Sequence, residues 1–332
     1  MSEETTPAIQ LPDPTKLVIS NSPHIRGGES ISKIMVHVLV ALAPAVAAAL
    51  WFFGLAALQV MVLCTVGCVA VEEIWNKCAK RAPTWKDGSA ALTGLLLAMN
   101  LSAGAPWWIC ILGALLAIGL GKQIFGGLGF NPFNPALVAR VALLIGFPSL
   151  MTSWVVPQAG KFMACDVLTG ATPLGASGAA VATIHDLFMG NVGGCLGETS
   201  ALALVIGGVY LLIKKLIKWQ VPVAFIGTVA IISGIVHYFT GMTPTPLYHI
   251  LAGGLLIGAF FMATDMVTSP MTANGALIFG FGCGLITSVI RIWGGYPEGV
   301  SFAILFMNAL TPLIDRSTIG KPFGYIRVKA EK

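Results

Sequence analysis

The sequence predicts an all-α integral membrane protein of about ten transmembrane helices, some short or broken, arranged as two inverted five-helix repeats. The first observation is composition: 56% of the 332 residues are hydrophobic, 10% are charged, and the mean hydropathy is +0.85. A soluble domain usually carries roughly 25% charged residues. The second observation is a series of apolar runs, and the third is an echo between the two halves.

Ten apolar segments follow a polar N-terminal arm. Because these runs are continuous rather than alternating, helices rather than a barrel are expected to satisfy the backbone in lipid. Several are shorter than the roughly 20 residues that cross a bilayer, as in broken helices that line an internal site. The segments lie at 34–54, 56–75, 89–101, 106–123, 134–150, 199–213, 221–240, 249–263, 275–290 and 299–314.

The two halves repeat short stretches of sequence. Gly94-Leu-Leu-Leu resembles Gly254-Leu-Leu-Ile, and Lys122-Gln-Ile-Phe-Gly-Gly resembles Arg291-Ile-Trp-Gly-Gly. Five segments per half is an odd number, so the second copy is expected to enter the membrane in the opposite direction. The expected divisions are an N-terminal arm (1–33), repeat 1 (34–150), an extracytoplasmic loop (151–198), repeat 2 (199–314) and a C-terminal tail (315–332).

The positive charges indicate the topology. If both termini are cytoplasmic, sixteen of the nineteen Lys and Arg residues, Lys122 included, fall on the inner side, as the positive-inside rule requires. Loop 151–198 is then outside. These charges cluster at helix ends and termini rather than in a stripe, so no nucleic-acid partner is expected.

The outer loop contains Asp166-Val-Leu-Thr169-Gly170-Ala171-Thr172-Pro173. Its small residues would leave a Thr hydroxyl exposed on a thin backbone, which a modifying enzyme could join to a phosphate-bearing cofactor. Taken alone, the same run is also typical of an ordinary turn or a helix N-cap.

A second candidate ligand segment is Gly126-Gly127-Leu-Gly-Phe-Asn131-Pro-Phe-Asn134. Glycine allows the backbone to approach a planar ring closely, and Asn side chains offer both donors and acceptors. The alternative is that Asn134 simply caps the next helix, with proline at its first position. Both roles are compatible for Asn134.

Four charged residues are candidates for an ion pathway. Arg140 lies six residues into the fifth segment, where it is expected to face a cavity or a partner, or to extend to the interface. Asp87, Asp265 and Asp315 lie at the cytoplasmic ends of segments. Each is a candidate cation-uptake ligand, and the alternative is a solvated acid at a helix end.

Two further acids, Glu72 and Glu73, lie near the inner end of the second segment. Helical spacing predicts that they pair with Lys77 or Lys80. The seven cysteines include no CxxC pair, so no metal centre is predicted, and Cys64 and Cys68 are expected to be buried apolar residues.

Four motifs in order identify a resemblance that runs from Ser22-Pro23-His24 to about Arg316. The chain resembles the NqrB/RnfD family, which serves the Rnf complex, an ion-translocating ferredoxin–NAD oxidoreductase, and the sodium-pumping NADH–quinone reductase. Chain length favours the Rnf type. The motifs are Gly121-Lys-Gln-Ile-Phe-Gly-Gly127 with Asn131-Pro-Phe-Asn134-Pro-Ala-Leu, Asp166-x-x-Thr169-Gly-Ala-Thr172, Met262-Ala-Thr-Asp265, and Tyr296-Pro-Glu-Gly299 leading to Asn308 and Asp315.

The resemblance implies two flavins. FMN would be joined through a phosphoester to Thr172 by a flavin transferase acting outside the cytoplasm. Riboflavin would be bound without a covalent bond near the cytoplasmic face, at the segment from Gly126 to Asn134.

The resemblance also implies partners, location and activity. The expected partners are the other Rnf subunits, including the second covalent-flavin subunit on the outer face and the paired membrane subunits, and the translocated ion is Na+ or H+. The location is the cytoplasmic (inner) membrane of a bacterium or archaeon. The chain would act as one subunit of a translocase, with no catalytic constellation of its own.

Three alternatives remain open from the sequence. One is an NqrB-like component of the sodium-pumping NADH–quinone reductase. Another is a channel or solute transporter, which the same inverted-repeat pattern would suggest. The third is a structural scaffold for neighbouring subunits.

Overall fold

The computed structural model describes residues 30–157, 160, 169–170, 174, 182–241, 244–294 and 298–320. Helices make up most of this part of the chain, together with one pair of two-residue antiparallel strands. The elements are α1 (Ile31–Cys78), α2 (Ser89–Met99), α3 (Trp107–Gln123), α4 (Pro135–Gly146), α5 (Pro148–Met151), β1 (Trp154–Val155), β2 (Thr169–Gly170), α6 (Ile184–Met189), α7 (Ala201–Ile213), α8 (Gln220–Thr240), α9 (Pro246–Leu251), α10 (Leu255–Ile257), α11 (Ala273–Trp293) and α12 (Val300–Thr318).

Helix α1 contains both of the first two predicted segments. Its 48 residues are interrupted at Gly54, where φ is 58° and ψ is −135°. Only glycine adopts such a backbone without strain. The predicted boundary near residue 55 is therefore confirmed, and the two helical pieces meet at Gly54.

Three helices, α1, α8 and α11, are long and apolar enough to cross a membrane. Four shorter helices, α2, α3, α4 and α7, are also apolar. At 11 residues, α2 extends only about 16 Å. The prediction of a membrane protein built mainly of helices, some of them short, is confirmed.

Several of the predicted segments are broken helices. The eighth segment consists of α9, a break at residues 252–254, and α10, which continues as a π-helix over Gly258–Met262. The last part of α3 is also π-helical, over Leu115–Gln123. Single π-helical turns are frequent at functional sites.

Small residues allow the helices to pack closely. A side chain at Gly94 of α2 would lie 2.6 Å from the backbone of Cys64 and Thr65 in α1. A side chain at Gly207 of α7 would lie 2.0 Å from the carbonyl oxygen of Ala41. Close approach of this kind is how helices associate in membranes, where there is no hydrophobic driving force between them.

Replacing Gly94 by alanine is expected to destabilise the protein by about 1–3 kcal/mol, because the added methyl group meets backbone atoms that cannot rotate away. Thermal unfolding of the detergent-solubilised chain measures the effect. Gly227→Ala is the matched control, since nothing lies within 4 Å of that added group. An equal loss of stability in both variants would contradict the packing explanation.

Candidate functional site

The segment between α3 and α4 turns back at three glycines. Gly126, Gly127 and Gly129 have φ values of 120°, 107° and 94°, so this turn needs residues without a side chain. Arg81 donates a hydrogen bond to the carbonyl oxygen of Gly126 over 3.2 Å. None of these glycines is among the residues that line the neighbouring cavity. Their role here is to shape the turn that carries Asn131 and Asn134.

Asn134 caps α4, as predicted. Its Oδ1 accepts hydrogen bonds from the backbone N–H groups of Ala136 (3.1 Å) and Leu137 (3.4 Å), with Pro135 at the first helical position. Its Nδ2 donates to the carbonyl oxygen of Met262 over 3.3 Å. The cap therefore also joins α4 to the π-helix that follows α10.

Asn131 is 4% exposed. Its Nδ2 donates to the carbonyl oxygen of Phe133 over 3.0 Å. Its Oδ1 is buried, and no described group donates a hydrogen bond to it. A buried acceptor without a donor is costly, so this oxygen is suited to a ligand that brings an N–H or O–H group.

Both asparagines line one large cavity. The space in it that is open to the centre of a water-sized sphere is about 110 Å³. Apolar side chains of α1, α2, α7 and the π-helix form most of the wall, and Lys122 and Asp265 are its charged members. An apolar cavity with a few converging polar groups is the usual form of a small-molecule site.

Lys122 is 1% exposed. Its Nζ lies 2.7 Å from Oε2 of Glu72 and 2.7 Å from Oγ of Ser89. The other carboxylate oxygen of Glu72 accepts from the hydroxyl of Thr84. Among the described residues, the third N–H of Lys122 has no acceptor. This ammonium group is therefore the buried positive charge of the cavity.

This geometry corrects the predicted partner of Glu72 and the assignment of Lys122 to the inner side of the topology. Glu72 pairs with Lys122 rather than with Lys77 or Lys80, because it points into the protein and is 1% exposed. Glu73 does pair with Lys77, over 3.6 Å. Because Lys122 is buried, it does not belong among the loop charges that indicate the topology. Its place beside the cavity was missed, although the echo with Arg291 had marked the position.

The three candidate aspartates lie in different surroundings. Asp87 accepts from the backbone N–H (3.0 Å) and the hydroxyl (2.8 Å) of Ser89. Asp315 accepts from the backbone N–H of Met271 over 2.9 Å, which fixes the turn before α11. Only Asp265 lines the cavity.

Asp265 follows the π-helix. Burial raises the pKa of its carboxyl group above the ordinary value, and hydrogen bonds from the backbone N–H groups of Val267 and Met266 and from the Thr268 hydroxyl partly oppose that rise. Its negative charge therefore forms at a higher pH than that of a solvated aspartate.

Arg140 lies inside α4 and is 2% exposed. It forms a salt bridge with Glu298, immediately before α12, and donates to Sγ of Cys195 over 2.9 Å. The prediction that Arg140 has a partner is confirmed, and the alternative of extension to the interface is wrong. Glu298 belongs to a motif that the sequence singled out, but its partner could not be identified from spacing.

Most of the predicted flavinylation motif lies outside the described residues, namely Asp166, Ala171 and Thr172. The backbone of Thr169 and Gly170 forms β2, in which Gly170 faces Trp154 and Thr169 faces Val155. Leu174, just beyond the motif, packs against the hydrophobic core. The predictions for this motif remain predictions.

These features define a membrane protein whose helices enclose a cavity lined by apolar side chains and a few polar groups. The chain belongs to the NQR2, RnfD, RnfE family, whose model matches residues 18–324. It is 46% identical over 323 residues to the D-subunit of the Na+-translocating ferredoxin:NAD+ oxidoreductase complex of Acetobacterium woodii, a match that covers 95% of this chain and 98% of that protein.

Two other relatives match over nearly as much of this chain. The D-subunit of the proton-translocating ferredoxin:NAD+ oxidoreductase complex of Clostridium ljungdahlii is 46% identical, covering 92% of this chain and 96% of its own. The D-subunit of the ion-translocating oxidoreductase complex of Stutzerimonas stutzeri is 42% identical, with 89% and 92% covered. The resemblance inferred from the motifs is thus confirmed.

Removing one member of the Lys122–Glu72 pair should destabilise the protein strongly. Lys122→Met leaves a buried carboxylate without its cation, at an expected cost of about 3–5 kcal/mol. Lys77→Met, which removes the exposed partner of Glu73, should cost at most about 1 kcal/mol. Thermal unfolding of the two variants in the same detergent compares them; equal losses would show that the buried pair is not special.

Proposed function

We propose that this chain is the flavin-carrying membrane subunit of a ferredoxin:NAD+ oxidoreductase complex that couples electron transfer across the membrane to translocation of Na+ or H+. The observation that carries the proposal is the end-to-end match with the corresponding subunits of two such complexes. The chain acts as part of an oxidoreductase translocase. Its partners are the other subunits, among them a second covalent-flavin subunit on the outer face and the paired membrane subunits.

The proposed architecture is ten spans in two inverted repeats. Each of the ten apolar segments contains helix, and both halves include a short helix: α2 in the first, α10 with its π-helical continuation in the second. The distribution of Lys and Arg supports cytoplasmic termini and an outer loop at 151–198. The proposed location is the inner membrane of a bacterium or archaeon.

FMN is proposed to be joined to Thr172 by a flavin transferase, within the motif formed by Asp166, Thr169, Gly170 and Ala171. A phosphoester bond prevents loss of the cofactor between electron transfers and keeps its local concentration constant. When bound, the flavin supplies the ability to accept and pass on electrons. The chain supplies the hydroxyl and the outer loop that presents it.

A second flavin, riboflavin, is proposed to occupy the cavity beside Asn131. About 30 Å of hydrocarbon is too far for a single outer carrier to serve both faces. The residues present suit such a ring: apolar walls for its faces, an unsatisfied acceptor at Asn131 for an N–H of its polar edge, and a Lys122 N–H without a described acceptor. The Lys122 ammonium group would favour electron uptake by stabilising negative charge.

The ion pathway was predicted from Asp87, Asp265, Asp315 and Arg140. Of these, Asp265 is the acid beside the cavity and therefore the best candidate for coupling an ion to the inner flavin. Asp87 contacts Ser89, which in turn contacts Lys122. Asp315 stabilises a turn, which favours a structural role for it.

The first test is Thr172→Val. Ultraviolet fluorescence of the denatured chain in a gel should show a flavin band for wild type co-expressed with a flavin transferase, and no band for the variant, because valine offers no hydroxyl. Thr152→Val, in the same outer region, is the control and should keep the band. A plain transporter or channel would show no band in any of the three.

The second test is Asn131→Ala. The substitution removes the unsatisfied Oδ1 and the Nδ2 that holds the side chain in place. The amount of riboflavin retained after purification should fall by about tenfold, which corresponds to a loss of roughly 1.4 kcal/mol in binding free energy. Extraction followed by chromatography measures the riboflavin to protein ratio. Asn191→Ala, at an exposed position, is the control, and unchanged retention in both variants would place the second flavin elsewhere.

A further inference from the structure

A second polar cluster lies between α4, the segment before α7 and the start of α12, away from the cavity at Lys122. It surrounds a small internal cavity, where the space open to the centre of a water-sized sphere is about 10 Å³. That is close to what one water molecule needs. Four oxygen-bearing side chains line it, and they define the Glu198 cluster: Asn100, Glu198, Glu298 and Ser301.

The oxygens of this cluster have few donors. Glu198 is 8% exposed, and its carboxylate accepts one long hydrogen bond, from the backbone N–H of Cys195 to Oε2 over 3.5 Å, and lies beside the Cys195 thiol. Asn100 and Ser301 are each 7% exposed. No described group donates to Oδ1 of Asn100, whose Nδ2 donates to the Leu96 carbonyl oxygen over 2.7 Å. The hydroxyl of Ser301 likewise has no described partner.

Two glycines leave room around the Glu198 carboxylate. A side chain at Gly254 would lie 3.2 Å from Oε1, and one at Gly194 would lie 3.0 Å from Oε2. Any other residue would press on the carboxylate from one side or the other. The absence of side chains at these two positions therefore leaves space beside both carboxylate oxygens.

The charges leave one carboxylate without a close partner. Arg140 pairs with Glu298, which leaves Glu198 without a salt bridge among the described residues. Arg291 interacts electrostatically with Glu198, but forms no salt bridge with it, and its guanidinium donates to the carbonyl oxygens of His249 (2.6 Å) and Ala252 (3.1 Å). A buried carboxylate without a salt bridge is costly, and one bound monovalent cation would reduce that cost.

The chemistry favours a hard monovalent cation over a transition metal. Cys195, Glu198 and Glu298 place ligand atoms within 4.8 Å of one another, the arrangement of a possible metal triad. However, the Cys195 thiol donates to the carbonyl oxygen of Asn100 over 3.1 Å, a bond that needs the S–H proton. A metal-binding thiolate is thus disfavoured, and the adjacent Arg140 charge would repel a dication about twice as strongly as a monovalent cation.

We propose that the Glu198 cluster binds one Na+ ion, with the two carboxylates, the Asn100 amide oxygen and the Ser301 hydroxyl as its oxygen ligands. Hard cations prefer oxygen ligands. Four converging oxygen-bearing groups are more than the one or two that hold a proton. A role for this site in transport rests on the proposed function; binding itself does not require electron transfer.

The test is equilibrium binding of radioactive ²²Na+ to the purified full-length chain in detergent at pH 8. Wild type should bind one Na+ per chain. Glu198→Gln should weaken binding by at least about tenfold, and Ser301→Ala by a few-fold, corresponding to losses near 1.4 kcal/mol and below. Glu73→Gln, which changes a carboxylate outside the cluster, is the matched control and should bind as wild type does.

Three results would overturn the site: no stoichiometric ²²Na+ binding to wild type, unchanged binding in both cluster variants, or displacement of Na+ by Zn2+ in wild type but not in Cys195→Ala. If Glu198→Gln elutes as aggregate in size-exclusion chromatography, Ser301→Ala decides. Thr172→Val separates the two proposals, since it should lose its flavin band and still bind ²²Na+. An absent wild-type band with Na+ binding intact counts against the proposed function alone.

Discussion

A charge placed among apolar helices must find an opposite charge or enough hydrogen bonds, and this requirement fixes the interior of the protein. Lys122 on α3 meets Glu72 on α1, and Arg140 on α4 meets Glu298 before α12. All four side chains are almost completely withdrawn from solvent. Removing either partner would leave the other charge buried alone, so each pair constrains the helices that carry it.

The short helices bring these polar groups together. Helix α2 begins at Ser89, which contacts Lys122, and is followed by Asn100, which belongs to the Glu198 cluster. The two sites are thus separated by about the length of α2, roughly 16 Å. Met262 lies between them, since its carbonyl oxygen accepts from Asn134 and its sulfur from Asn100. A full-length apolar helix in that position would leave neither end available to a ligand.

This arrangement suits the proposed role in moving electrons and ions. The large cavity has apolar walls, an unsatisfied acceptor and a buried cation, which suit the proposed planar cofactor. The small cavity offers oxygens to a cation. Both cavities adjoin the broken-helix region around Met262.

The sequence by itself determined the membrane-protein class, the apolar segments, the break near Gly54, the cap at Asn134 and the family. These follow from composition, period and local turn chemistry, which act over a few neighbouring residues. Only the tertiary structure decided that Glu72 pairs with Lys122 rather than with Lys77, that Arg140 pairs with Glu298, and that Glu198 has no salt-bridge partner among the described residues. Those pairs join residues 50 and 158 positions apart, and helix spacing carries information about neighbours three and four residues away, not about which distant helix is packed alongside.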